Sequence, residues 1–254
     1  MVWLTKPPLG TQLDWTHPLN TGLAGFWVFN EGMGNIVNDL SGNNNTGTLT
    51  NMAFPSTTTS GWNPGPLGDV ITFDGINDFI DVGSGPSLNN PGNVTVGMKI
   101  NIAALAATQG LLSSGRANSK DEQYGIWVIS GQVRYYSGNG TLSNGIQMSP
   151  PPSTGKWEHI LFVRNGIEVQ WYLNGAINLS TNLTYIPINT LANSILIGCM
   201  TPVPNFPFNG AIDEIRIWNR ALTIDEVQAV YNYPYEMFLE EGGCPPITCS
   251  LNVM

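Results

Sequence analysis

The strongest constraint on this chain is a period-two hydrophobic pattern that recurs between closely spaced turn signals. In Asn93–Ile102 (NVTVGMKINI), Val94, Val96, Met98 and Ile100 fall on one face. In Glu168–Leu173, Val169, Trp171 and Leu173 share a face, and Glu168, Gln170 and Tyr172 take the other. Ile126 and Val128, then Val133 and Tyr135 after Ser130-Gly131, repeat the alternation. Side chains of a strand alternate between faces, so each segment reads as a strand with one buried side. Asn165-Gly166 and Asn174-Gly175 are favoured hairpin pairs, because both residues tolerate positive φ. Asp74-Gly75 marks another turn, between strands within VITFDGINDFIDV (70–82). Leu23–Asn30, Trp157–Val163, Ile195–Gly198 and Ile212–Trp218 complete the set of predicted strands. Many short strands at regular spacing predict an all-β, two-sheet antiparallel sandwich of jelly-roll type.

One helix interrupts the pattern. Thr223-Ile224-Asp225-Glu226 has the capping-box spacing, Val227, Val230 and Tyr231 follow on one face, and Pro234 ends it. Residues 1–21 read as an N-terminal arm rich in Trp and Pro, 22–233 as the sandwich and 234–254 as a C-terminal extension. Residues 55–66 and 148–154 read as loops. Phe26, Trp157, Trp171 and Trp218 are expected in the core, and Trp3 and Trp15 are expected to dock the arm on the domain or on a partner.

Composition narrows the partners. The chain has 29 glycines and 18 prolines, which suits a fold with many bends. It has 9 basic residues against 18 acidic ones, a formal net charge of -9. Nucleic acid and anionic membranes need clustered cations, so both are poor partners. No segment has the roughly 18 apolar residues of a membrane span. The three cysteines, Cys199, Cys244 and Cys249, leave one over from any pairing; Cys244 and Cys249 are close enough in sequence to pair. The opening MVWLTKPPLG lacks a basic stretch followed by an apolar one. A mature exported chain or a virion component released by lysis fits that opening.

The order of seven motifs resembles the laminin-G-like jelly-roll family of the concanavalin A-like lectin/glucanase superfamily. They are GLAGFWVFNEGMGN (22–35), DLSGNNNTGTL (39–49), ITFDGINDFIDVG (71–83), GKWEHILFVRNG (155–166), WYLNGAIN (171–178), ILIGCM (195–200) and FNGAIDEIRIWNRALTIDEVQAVY (208–231). The resemblance implies that FWVFNE and AIDEIRIW are neighbouring strands. It also implies a structural Ca²⁺ near their join, with Glu31, Asp39 and Asp213 as candidate ligands. The plainer alternative is that Asp39 caps a turn and Glu31 ends a strand. Lectin-like members stack sugars on exposed aromatics; Trp62, Tyr124 and Tyr136, in or beside predicted loops, are the candidates here.

Glucanases of the superfamily carry Glu-x-Asp-x-x-Glu on one strand, and this chain does not. Asp213-Glu214 has no Glu two residues before or three after, and no Gly-x-Ser-x-Gly elbow is present. His17 and His159 have no adjacent nucleophile, and His159 reads as a core or sheet-face residue. A non-enzymatic role follows as the expectation. The arm, with Asp14-Trp15-Thr16-His17-Pro18-Leu19, is similar to that of stand-alone phage and environmental viral chains. That similarity implies a decoration or adhesion protein on a virion surface, with capsid or other virion proteins as partners and a homo-oligomer as one arrangement. The alternative is an extracellular carbohydrate-binding module of a cell, with surface glycans as partners.

Overall fold

The computed structural model describes residues 5–89, 92–114, 123–138, 141–184, 194–200 and 205–239. In chain order the strands are β1 (Leu23–Trp27), β2 (Ile36–Val37), β3 (Gly47–Thr50), β4 (Gly61–Gly65), β5 (Gly68–Asp74), β6 (Phe79–Asp81), β7 (Val94–Ile102) and β8 (Gln109–Ser113). They continue as β9 (Gly125–Ile129), β10 (Gln132–Gly138), β11 (Ser143–Gln147), β12 (Trp157–Asn165), β13 (Glu168–Leu173), β14 (Ala176–Asn182), β15 (Leu196–Ile197) and β16 (Asn209–Trp218). Helix α1 (Ile224–Asn232) follows, with both halves of the Thr223/Glu226 capping box formed. Among the described residues no helix is long and apolar enough to cross a membrane.

The strands form two eight-stranded sheets. The first runs β14-β13-β12-β7-β16-β5-β4, and β1 also pairs with β16. The second runs β11-β10-β9-β8-β15-β6-β3-β2. All strand pairings are antiparallel. The expected neighbours are in place: Phe26 faces Arg216 and Trp27 faces Ile215 across β1 and β16. The long β16 changes partner along one edge, pairing with β5 through Ile212 and with β1 from Ile215.

The alternating residues fill the space between the sheets. Val94, Val96, Met98 and Ile100 meet Ile126, Val128, Val133 and Tyr135 in one core, and the Tyr135 ring stacks on Phe162 at 3.8 Å. Gly75 has φ +75 as expected, but the strands around it join different sheets. Asp74-Gly75 is thus a corner from one layer to the other, not a hairpin. Residues 55–66 are not all loop, because Gly61–Gly65 forms β4. Pro64 is tolerated there because β4 is an edge strand.

A second apolar layer lies on the outer face of the first sheet. Phe26, Leu161, Val163 and Trp218 on the sheet are covered by Leu13 and Leu19 from the arm, Val227 and Val230 from α1, and Phe238. Leu13 bridges Phe238, the Asp14 amide donates to the Met237 carbonyl, and the Leu239 amide donates to the Gln12 carbonyl. The Trp218 indole donates to the Leu19 carbonyl at 2.7 Å. The arm therefore lies on its own domain, tied to the segment after α1. Trp15 remains largely exposed, whereas Trp3 lies outside the described residues, as do Cys244 and Cys249. Cys199 is buried, and burial pushes its thiol up to about 12.

Candidate functional site

A β-bulge organises the chemistry on the outer face of the first sheet. Asp213 faces Lys99 and Arg216 faces Gly97, so three steps along β16 match two along β7. The extra residue lets one strand present neighbouring side chains on the same side. Glu214, at φ +51, is at the centre of the irregularity. Asp213 accepts from the Lys6 ammonium at 2.5 Å. Glu214 accepts from Lys99 at 2.7 Å and from the Tyr235 hydroxyl, with Arg216 at 3.6 Å.

This cluster is almost dry. Asp213, Glu214 and Arg216 are all buried. Burial and the neighbouring Glu214 push the Asp213 carboxyl above its ordinary value, against the pull of Lys6. Burial also acts to raise Glu214, but Arg216 and Lys99 outweigh it and hold that carboxyl below its ordinary value. Lys6 additionally donates to the Phe29 and Asp69 carbonyls.

Beside the cluster is a cavity of about 230 Å³. Register places His159 opposite Lys99 and Lys99 opposite Asp213, so the three stand in a row across β12, β7 and β16. All three line the cavity, with Trp157, Glu158 and Asn174 beside them and Tyr231, Pro66 and Leu67 completing the wall. Trp157 is only half-buried there, so the expectation of a core tryptophan is corrected. His159 is 3% exposed, and neither ring nitrogen has a hydrogen-bond partner. Burial, with the Arg216 charge, lowers its pKa to about 3, so the ring is neutral at pH 7. Leaving such groups unpaired costs about 1–3 kcal/mol each. Tyr231 is held at the rim by the β13–β14 turn: a Cβ on Gly175 would lie 2.7 Å from the tyrosine ring.

The outer face of the second sheet carries an aromatic pair. Trp127 on β9 and Tyr136 on β10 pack with tilted rings, their centroids 4.6 Å apart and the interplanar angle 31°; Trp127 is buried beneath and Tyr136 is half-buried. Gly145, opposite Tyr136 on β11, makes room for the ring, since a Cβ there would be 2.9 Å from it. Gln132, Arg134 and Tyr136 share this face because Val133 and Tyr135 point into the core. Trp127 Nε1, Gln132 Oε1 and Arg134 Nε are buried polar atoms without partners.

The predicted site residues separate. Tyr136 belongs to the aromatic pair. Tyr124 does not offer a platform: it is fully buried in the core, and its hydroxyl donates to the Leu88 carbonyl at 2.6 Å. Trp62 is likewise in the core, on β4 rather than in a loop, and its indole donates to the Gly34 carbonyl. Glu31, Asp39 and Asp213 do not form one ligand set. Glu31 accepts from the Asn38 amide and side chain; Asp39 accepts from the Phe26, Ser41 and Asn45 amides; Asp213 is held by Lys6. Among the described residues no three His, Cys, Asp or Glu side chains are grouped to hold a metal ion. A Ca²⁺ ion needs six to eight oxygens, and at Asp213 an ammonium already has the carboxylate. These residues do not fit the ion.

Sequence reasoning missed Trp127, Gln132 and Arg134. Their signal was the alternation itself, since the residues between the buried ones in β9 and β10 must share the other face. The row of His159, Lys99 and Asp213 had no comparable signal, because it depends on strand order.

No curated protein matches the sequence. Solved structures do match. The binding domain of Paraclostridial Mosquitocidal Protein 1 superposes with a TM-score of 0.65 at 18% identity, over 84% of this chain and 52% of that one. Domain 4 of AbnA, an extracellular arabinanase of family GH43 from Geobacillus stearothermophilus, solved in complex with arabinotriose, gives a TM-score of 0.62 at 21% identity, over 83% and 98%. The botulinum neurotoxin serotype D ligand binding domain, solved in complex with N-acetylneuraminic acid, gives 0.58 at 14%, over 84% and 51%. The chain thus spans about half the length of these two toxin domains and nearly all of the arabinanase domain. A family profile, described as the concanavalin A-like lectin/glucanases superfamily, matches residues 74–228, more than half of the sequence. This chain belongs to the concanavalin A-like lectin/glucanases superfamily.

Proposed function

We propose that this protein is a non-catalytic glycan-binding module that holds an oligosaccharide on the outer face of its second sheet. The half-buried Tyr136 ring, backed by the buried Trp127, with the unpartnered polar atoms of Trp127, Gln132 and Arg134 beside it, carries the reading. Aromatic faces suit the C–H faces of sugar rings, and unpaired donors and acceptors suit ring hydroxyls. The arabinotriose complex of the arabinanase domain supports it, because nearly the whole of that domain shares this fold. The absence of catalysis is supported by the adjacent carboxylates Asp213 and Glu214, which are buried and bound to Lys6, Lys99 and Arg216. Paired-carboxylate hydrolysis needs two carboxyls facing a cleft with room for substrate.

A glycan array probed with the full chain tests the reading, followed by titration of each hit against Tyr136→Ala. The expected result is binding weakened about tenfold, equivalent to about 1.4 kcal/mol. An array with no hits, or hits unaffected by Tyr136→Ala, overturns it. Attachment to a virion is a narrower version of this function. The arm does not support that version, since it is engaged on its own domain. Stoichiometric copies in purified particles would favour virion attachment, and recovery from culture medium alone would favour export.

A further inference from the structure

We propose a second site: the cavity on the outer face of the first sheet binds a single neutral sugar ring. The proposal rests on the glycan-binding reading but concerns the opposite layer of the sandwich. The cavity is bounded by β12, β7 and β16 from the sheet, by α1 through Tyr231 and by the β4–β5 turn through Leu67. At about 230 Å³ it is smaller than pockets for drug-sized ligands, which start near 300 Å³. Its size suits one ring rather than a chain.

The wall selects for polarity without net charge. Lys99 is matched by Glu214 and Asp213 by Lys6, so an entering cation would meet the Lys99 ammonium and an entering anion the Asp213 carboxylate with no spare counter-charge on the wall. A neutral polyol avoids both penalties. Its hydroxyls both donate and accept, matching a wall that contains an ammonium, a carboxyl group and an amide. His159 sharpens the match. A neutral imidazole has one donor and one acceptor, and here both are unpartnered. Trp157 and Tyr231 supply aromatic surface for the apolar face of a ring, and Tyr231 is 38% exposed at the rim, where an entering ring can meet it.

The experiment uses the ¹⁵N-labelled full chain titrated with arabinose, galactose and glucose to tens of millimolar. The Trp157 indole and the amides of 157–159 and 174 are expected to shift with at least one sugar. Tyr231→Ala should weaken that response about fivefold, and Tyr136→Ala should leave it intact. His159→Phe, which keeps an aromatic ring and removes both nitrogens, should also weaken it and serves if Tyr231→Ala disturbs α1. The idea fails if no sugar moves these signals, or if the shifts persist unchanged in both variants. Array binding that depends on Tyr136 while the cavity stays silent would remove this site and leave the proposed function standing. Sugar-induced shifts at the cavity with array binding indifferent to Tyr136 would do the reverse.

Discussion

Lys6 and Asp213, 207 residues apart in sequence, meet as a buried ion pair at 2.5 Å. The ammonium also bonds the Phe29 and Asp69 carbonyls, so the arm brings its own cation to the place where β16 changes partner from β5 to β1. Lys6→Met should destabilise the fold by about 3–5 kcal/mol at neutral pH, because it leaves a buried carboxyl and two carbonyls without their donor. Adding Asp213→Leu should recover part of that loss. Urea unfolding of the single and double variants checks both; an unchanged midpoint for Lys6→Met would contradict the role given to the arm.

Acid should separate His159 from its surroundings. The unfolded chain protonates this imidazole below about pH 6.5, whereas the folded protein resists protonation until about 3. Between those values the unfolded state binds more protons, so this residue's contribution to stability falls as pH falls, by up to about 1.4 kcal/mol per pH unit. Asp213 works in the opposite sense. Burial raises its carboxyl, so the folded state takes up the proton at a higher pH than the unfolded chain does, and its contribution grows on acidification. His159→Phe removes only the first effect. Relative to the parent, the variant should gain about 2–3 kcal/mol between pH 7 and 4.5. Parallel melting curves across that range would refute the assignment.

The turn that holds Tyr231 is sensitive to a single methyl group. Gly175 has φ +75, and a Cβ there would press on the tyrosine ring at 2.7 Å. Gly175→Ala should cost about 1–2 kcal/mol through backbone strain and the displaced ring. Thermal melts read the cost, and the Tyr231 ring resonances should move.

Gly145→Ala should act on binding more than on stability. The added methyl group meets the Tyr136 ring at 2.9 Å and drives it from its tilted contact with Trp127. Glycan affinity should fall by about tenfold while the melting temperature moves by a few degrees at most. Affinity equal to the parent's would show that this ring geometry is not what the glycan needs.

Much of the architecture was present in local pattern. Alternation in β7, β9, β10 and β13 identified one face of each strand, and the Asn-Gly pairs located hairpins, because side-chain direction and positive φ are properties of one or two residues. The same alternation identified Trp171 and Tyr135 as core. What failed were judgements of which side chains surround a given residue. Tyr124 and Trp62 looked like loop aromatics and are core. Trp157 looked like core and lines a cavity. Asp213 looked like a calcium ligand and holds a lysine from the arm.

The sequence by itself determined that the chain is a sandwich of short antiparallel strands, because hydrophobic period and turn chemistry are local, while the neighbouring of its first and last strands was implied by the resemblance of its motif order. Only the tertiary structure decided which polar residues meet. His159, Lys99 and Asp213 stand in one row because β12, β7 and β16 are adjacent, and Lys6 reaches Asp213 because the arm folds back over that sheet. Strand order and the path of the arm are set by how apolar faces pack over the whole chain, and no local stretch of residues encodes them.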